Sequence, residues 1–243
     1  MHDLFVIGGI HSNLKHAIET AQHAKLIKNI IIDSPEFVNC KYDNYITIKG
    51  NISTQDYLKR IIEIHKANGN TNRLSHCCIL ENDDKDIKFI LTDAAFNTDF
   101  INNGRIITEN AIWLSRQIYN QTRPIINYIL AENKPNIPGY LPQEFLDYIA
   151  DIGNVIHSIQ CKQFDMALDP QISKLKNDNS PQADILIVSD INVGNAIWKS
   201  LTIFGGFLAS GFVVGTDYPC LLNSRGDDAC SFFRSIQHAT NLL

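Results

Sequence analysis

The stretch SDINVGNAIWKSL, residues 189–201, follows an apolar run, ILIV, and gathers Asp190, Asn192, Gly194, Asn195 and Lys199. A strand running into such a loop and then into a helix leaves backbone N–H groups pointing at one spot. With the helix dipole they favour an anion there. Gly194 lets a ligand approach the backbone, Asn192 and Asn195 can donate amide hydrogen bonds, and Lys199 adds positive charge one turn on. An ordinary helix cap with an exposed lysine explains the same residues equally well. A second stretch, LLNSRGDD at 221–228, repeats the grammar. There Arg225 can grip a phosphate with two parallel hydrogen bonds, and Ser224 can donate to a developing oxyanion. Asp227 and Asp228 read by default as helix caps.

Elements that would carry these loops recur along the chain. An apolar run at 4–7, the turn Gly8-Gly9, helical periodicity over 14–26 and a strand at 29–32 spell β-α-β, hence a parallel sheet. A dinucleotide fingerprint would need a third spaced glycine, which is not there. A helix is expected over 55–66 behind Asn51 or Ser53, and ENDDKD between the strands 75–80 and 87–91 reads as a hairpin turn. Helices follow at 108–119 and 145–152, and strands at 125–130 and 155–159. In the last third the pattern gives a strand at 184–188, a helix at 195–204 stopped by Gly205-Gly206, strands at 212–214 and 220–222, and a helix over 227–242. Ligand loops of open α/β sheets lie at the carboxyl ends of strands, where both chemical stretches sit.

Composition narrows the partners. A chain of 243 residues with 44% hydrophobic content can build a real core, and a net charge of -5 without a basic stripe argues against nucleic acid. The start, MHDLFVIGGI, is not a secretory signal, and the apolar segment 203–215 is too short to span a bilayer. The expectation is a soluble cytoplasmic protein with no membrane partner. Six cysteines without CxxC spacing read as buried free thiols, and eight histidines form no metal pair, so no metal is expected.

The segment ADILIVSDINVGNAIWKSLTIFGGFLASGFVVGTDYPCLLNSRGD resembles the C-terminal signature of the phosphate acetyl/butyryltransferases. That signature is P-D-(I/L)-x-x-G-N-x-x-x-K, then a glycine-rich strand, then S-R-(A/G)-D. Upstream, FILTDAAFN, IITENAIWLSRQI, RPIINYILAE, FDMALDPQIS, KGNISTQDYLKR and RLSHCCIL are similar to successive family motifs, from Lys49 onward. The resemblance implies a two-domain α/β/α fold with mostly parallel sheets around a cleft, like the isocitrate and isopropylmalate dehydrogenases. It implies a first domain of residues 1–88 plus 217–243, a second of 89–216, and a homodimer. A dehydrogenase activity itself is disfavoured, because the glycine fingerprint and acidic metal ligands are missing.

The activity implied is transfer of an acetyl or short-chain acyl group between coenzyme A and inorganic phosphate, both substrates, with no cofactor. By match, Arg225 holds the phosphoryl group, Ser224 stabilises the transition state, and Asp227 stands in for a base. Asp190, Asn192, Gly194, Asn195, Lys199, Asn97, Asp169, Lys49, Lys59 and Arg60 would bind substrate. The departures are specific. Ser189 replaces the motif proline, Lys59 an arginine, and Ser231 the carboxylate that serves as thiol base in the acetyltransferase branch. About one strand-helix unit is missing between Asp33 and Lys49, judged from the usual length of such units. The alternative is therefore a degenerate homologue that binds a phosphorylated ligand or a protein partner with little catalysis.

Overall fold

The computed structural model describes residues 1–32, 45–98, 100–129, 143–152 and 158–243. Two compact units emerge: Met1–Leu74 with Gly206–Leu243, and Ser75–Gly205. The first begins with β1 (His2–Ile7), α1 (Ser12–His23), β2 (Ile27–Ile32), β3 (Tyr45–Lys49) and α2 (Thr54–Ala67). The second contains β4 (Ser75–Asn82), β5 (Ile87–Thr92), α3 (Phe100–Tyr119), β6 (Ile125–Ile129), α4 (Gln143–Asp151), β7 (Ser158–Lys162), α5 (Phe164–Leu168), α6 (Pro170–Leu175), β8 (Ile185–Ile187) and α7 (Ile191–Phe204). The chain then returns to the first unit with β9 (Leu208–Val214), β10 (Cys220–Leu221) and α8 (Ala229–Thr240).

In the first unit the strand order is β2-β1-β3-β10-β9. All neighbours are parallel except β10 with β9. Every residue of β3, YITIK, is buried, so the strand is covered on both faces and reads as a continuous run rather than an alternation. Its buried threonine is satisfied: Thr47 Oγ1 lies 3.2 Å from the Tyr57 hydroxyl of α2. Leu14, Ala17, Ile18 and Ala21 form the buried stripe of α1, which packs with α8, whose own buried residues include Phe232, Ile236 and Ala239. Ser53 caps α2, accepting from the Asp56 N–H at 3.0 Å.

The second unit runs β4-β5-β8-β6-β7. The β4–β5 pair is the expected antiparallel hairpin, turned through a 3-10 segment at Asp83–Lys85 with Asp86 left-handed at φ 51°. The other pairs are parallel. Burial pushes the Cys77 and Cys220 thiols up to about 12, so neither is a thiolate near neutrality.

Several element boundaries differ from the sequence expectation. Domain limits were expected after residues 88 and 216. The units instead divide at Leu74/Ser75 and Gly205/Gly206, because a cut at 88 would split the paired hairpin. The helix expected at 108–119 begins at Phe100, and the strand expected at 155–159 lies at Ser158–Lys162, with 153–157 outside the described residues. Asp228, not Asp227, caps α8, accepting from the Ser231 N–H at 2.7 Å. The largest consequence for function is that α7 starts at Ile191 rather than Asn195. Gly194 and Asn195 are therefore the fourth and fifth residues of a helix and not in a loop ahead of it. The expected deficit between Asp33 and Lys49 falls mostly on 33–44, outside the described residues. Among the described residues no helix is long and apolar enough to cross a membrane.

Candidate functional site

In the second unit β5 and β8 are adjacent and parallel, Thr92 standing in register with Ile187. The polar loops after them are therefore neighbours, as carboxyl-end loops of such sheets are. Asp93 organises this corner. Its Oδ1 accepts from the N–H groups of Ala95 (3.0 Å) and Phe96 (2.8 Å). Its Oδ2 accepts from the His76 N–H (2.9 Å) and from Asn97 Nδ2 (2.7 Å). The residue is only 3% exposed. Asn97 is thus held in place, half-buried, by a carboxylate that sequence reasoning passed over within TDAAFN. The available signal was an acidic residue at a strand end followed by two alanines.

Helix α7 is docked onto the same corner. Asp190 caps it, Oδ1 accepting from Asn192 N (2.8 Å) and Val193 N (3.2 Å), and Ser189 Oγ donates to Oδ2 at 3.1 Å. The backbone bond from Val193, joined by those from Asn192, holds the Asp190 carboxyl below its ordinary range. Two amides read from sequence as waiting for an anion are thus already bonded to the protein's own carboxylate. Gly194 has a reason other than ligand approach: a Cβ there would run into the Asp93 carbonyl oxygen and the Ala94 Cα. Asn195 Nδ2 donates to the Ala94 carbonyl at 3.3 Å. Lys199 lays its ammonium 4.2 Å from the centroid of the Trp198 ring, a cation–π contact. Asp169 caps α6, accepting from Gln171 N (2.8 Å) and Ile172 N (3.3 Å). Its carboxylate serves its own short helix.

Gly194→Ala tests this docking. The obstructing atoms are backbone and cannot swing aside, so the substitution should cost about 1–3 kcal/mol of stability. A thermal melt checks it, and an unchanged midpoint would mean that α7 does not sit against this corner.

In the first unit the carboxyl ends of β1, β3 and β10 stand side by side, Ile7 opposite Lys49 and Leu221 opposite Ile48. Gly50 N donates to Ile7 O at 2.8 Å and Asn51 N to Gly9 O at 2.6 Å. A Cβ at Gly50 would strike the carbonyl oxygens of Gly8 and Gly9, and Gly8 itself has φ +85°. The loops after β1 and β3 are thus in backbone contact. Lys49, the last residue of β3, is 2% exposed, with Nζ 3.5 Å from the carbonyls of Gly50 and Ile52.

Beyond β10, Asn223 is buried and donates to Ala209 O (3.0 Å) and Asp227 Oδ2 (3.3 Å). The buried Asp227 carboxylate also accepts from Ser224 N at 2.9 Å, closing the 223–227 turn from inside. Ser224, half-buried, accepts from Gly226 N at 3.3 Å, which leaves its hydroxyl proton to give. Arg225 stands exposed at the tip. Ser231, at the position of the expected base, is buried and accepts from Ala209 N at 3.2 Å. Lys59 is exposed on α2, and Arg60 lies 3.9 Å from Glu63 on the same helix.

The charge pattern in this unit has a focus at His11. Burial first, then the positive charges of Lys49 and Arg225, lower its pKa. Lys49, at the end of β3, and Arg225, after β10, therefore act on one imidazole in the loop after β1. No residue pattern in the sequence points to this meeting. Among the described residues no three His, Cys, Asp or Glu side chains are grouped as a metal ion would need.

No family model matches the chain. A phosphate acetyltransferase of Rickettsia typhi is 30% identical over 190 residues, 74% of this chain and 54% of that protein. A phosphate butyryltransferase of Clostridium acetobutylicum is 27% identical over 191 residues, 75% of this chain and 63% of that protein. The chain spans about half the length of the first of these relatives and under two thirds of the second. Among solved structures, a branched-chain phosphotransacylase from Enterococcus faecalis V583 matches with a TM-score of 0.75 at 24% identity, over 100% of both chains. A β-decarboxylating dehydrogenase from Thermococcus kodakarensis matches at 0.52 and 12% identity, over 100% of this chain and 83% of that one. Both share the α/β fold of this chain.

Proposed function

The chain is a relative of the phosphate acetyl/butyryltransferase family, and on that footing we propose that it transfers an acetyl or short-chain acyl group between coenzyme A and inorganic phosphate. One observation carries the reading beyond kinship. Lys49 ends β3 and the Ser224-Arg225 pair follows the neighbouring parallel β10, and both cations act on the imidazole of His11. Such a concentration of positive charge and donors at strand ends is what a phosphoryl group needs.

In the proposed reaction the coenzyme sulfur attacks the acyl carbonyl of the acyl phosphate. A C–S bond forms, the C–O bond to phosphorus breaks, and the phosphate leaves with the electron pair and takes up the thiol proton. Arg225 spreads charge off the phosphoryl oxygens through its planar fork, and Lys49 adds a point charge. Ser224 donates its hydroxyl proton to an oxygen that becomes more negative in the transition state. We assign Asp227 to positioning, since its carboxylate is buried and bonded to Ser224 N. Asn97, Asn192, Asn195 and Lys199 present donors for the acyl-CoA, with Asp190 and Gly194 setting the helix that carries them. The reading includes no cofactor, a homodimer, and a cytoplasmic site of action, with Asp169, Lys59 and Arg60 as further substrate contacts.

A second reading, a weakly catalytic homologue that binds a phosphorylated ligand, is favoured by Ser231, whose hydroxyl is buried on Ala209 and offers no base. Thioester absorbance decides between them. Acetyl-CoA or butyryl-CoA mixed with phosphate, and acetyl phosphate with coenzyme A, should give turnover well above that of Arg225→Ala. Equal background rates, with phosphate still bound, would leave the binding protein standing.

A further inference from the structure

His11 sits where the first unit's donors gather, and capping alone does not explain it. Its Nδ1 accepts from the Leu14 N–H at 3.4 Å, which places the proton of the neutral ring on Nε2. Serine, aspartate or asparagine would cap α1 as well or better. The ring is held edge-on to Phe232 of α8, centroids 5.1 Å apart at 62°. With Nδ1 turned to the helix, Nε2 occupies the opposite edge of the ring. That nitrogen is buried and, among the described residues, has no hydrogen-bond partner. Folded proteins rarely leave a buried N–H without an acceptor.

The two charged residues that act on the ring, Lys49 and Arg225, are donors rather than acceptors. Burial first, then the charges of Lys49 and Arg225, favour the neutral ring, whose proton lies on Nε2. The buried carboxylate of the loop after β10, Asp227, is engaged by Ser224 N and Asn223. An imidazole N–H, an ammonium and a guanidinium together call for an acceptor that is compact, anionic and rich in oxygen.

We propose that His11 is a binding residue for the phosphoryl group held by Arg225 and Lys49, donating to one of its oxygens through Nε2–H. The proposal rests on the phosphoryl reading of Arg225 and adds to it a third donor, drawn from the loop after β1. The histidine would then fix the orientation of the phosphoryl group, since Lys49 is a point charge that accepts any approach. Two sources share this chemistry: inorganic or acyl phosphate, and the phosphates of coenzyme A.

His11→Asn separates binding from folding, because asparagine caps a helix efficiently but lacks the reach of the imidazole Nε2. Calorimetry with inorganic phosphate, and separately with coenzyme A, is to be run on the wild type, His11→Asn and Arg225→Ala. The 15N resonance of His11 Nε2 is followed in the wild type during the same titrations. The expected result is a phosphate dissociation constant raised about 10-fold in His11→Asn, the value of one charge-assisted hydrogen bond. The melting temperature should stay level, and Nε2 should shift as phosphate saturates. A shift with coenzyme A but not with phosphate assigns the donor to the coenzyme's phosphates. If His11→Asn binds both ligands like the wild type, or the wild-type Nε2 resonance stays still at saturation, His11 is no ligand. Loss of phosphate in Arg225→Ala would then keep the phosphoryl reading intact. If the wild type binds neither ligand, the phosphoryl reading falls and the proposal with it.

Discussion

Arg225→Ala is expected to lower kcat/KM by about 10³-fold or more, with little change in stability. The residue is exposed at the tip of the turn after β10, so truncating it opens no cavity. What is lost is the fork that takes up charge on the phosphoryl oxygens as the C–O bond breaks. Arg225→Lys retains the charge but not the paired geometry, and should recover one to two decades of the roughly 10³-fold loss. Steady-state rates with acetyl phosphate and coenzyme A, alongside a urea titration, check both. Rates for Arg225→Ala equal to the wild type would remove the arginine from the mechanism. A matching fall in stability would recast it as a structural residue.

Asp93→Ala carries the largest expected stability effect, about 3–6 kcal/mol. Three backbone N–H groups and the Asn97 amide share its two oxygens in a place 3% exposed. Alanine leaves those donors facing an apolar methyl, and the bond from His76 N lies fully buried. Asp93→Asn is the informative partner, because its one oxygen can serve one pair of donors while its NH₂ opposes the other. About half the loss is expected. Urea unfolding measures both. A change below about 1 kcal/mol for alanine would show that the corner after β5 is held by something other than this carboxylate. The loss should also reach function, since the loop carries Asn97 and receives Gly194 of α7.

The alternation of strand and helix was legible because parallel strands buried on two faces are written as short apolar runs, such as ILIV before Ser189. The hairpin around ENDDKD was legible because charged turn residues interrupt two such runs. SDINVGN and NSRGDD stood out by residue type alone, as polar, glycine-containing stretches directly after buried strands. The roles inside those stretches were a different matter. Nothing in the spacing distinguishes Asp227 from Asp228, yet one closes a turn from inside and the other caps α8. Asp190 and Gly194 suggested an open anion site. Their contacts, with the amides of Asn192 and Val193 and the backbone of Asp93 and Ala94, show a helix sealed and seated by its own chain.

Sequence by itself determined the type of fold, the kinship and the loops to watch, because periodicity and motif order are local properties of the chain. Only the tertiary structure decided which of those loops meet. His11, Lys49 and Arg225 belong to segments far apart in sequence, and they share one electrostatic environment because β1, β3 and β10 are neighbours in the sheet. Strand order is set by the packing of whole elements, and no residue type along the chain encodes it.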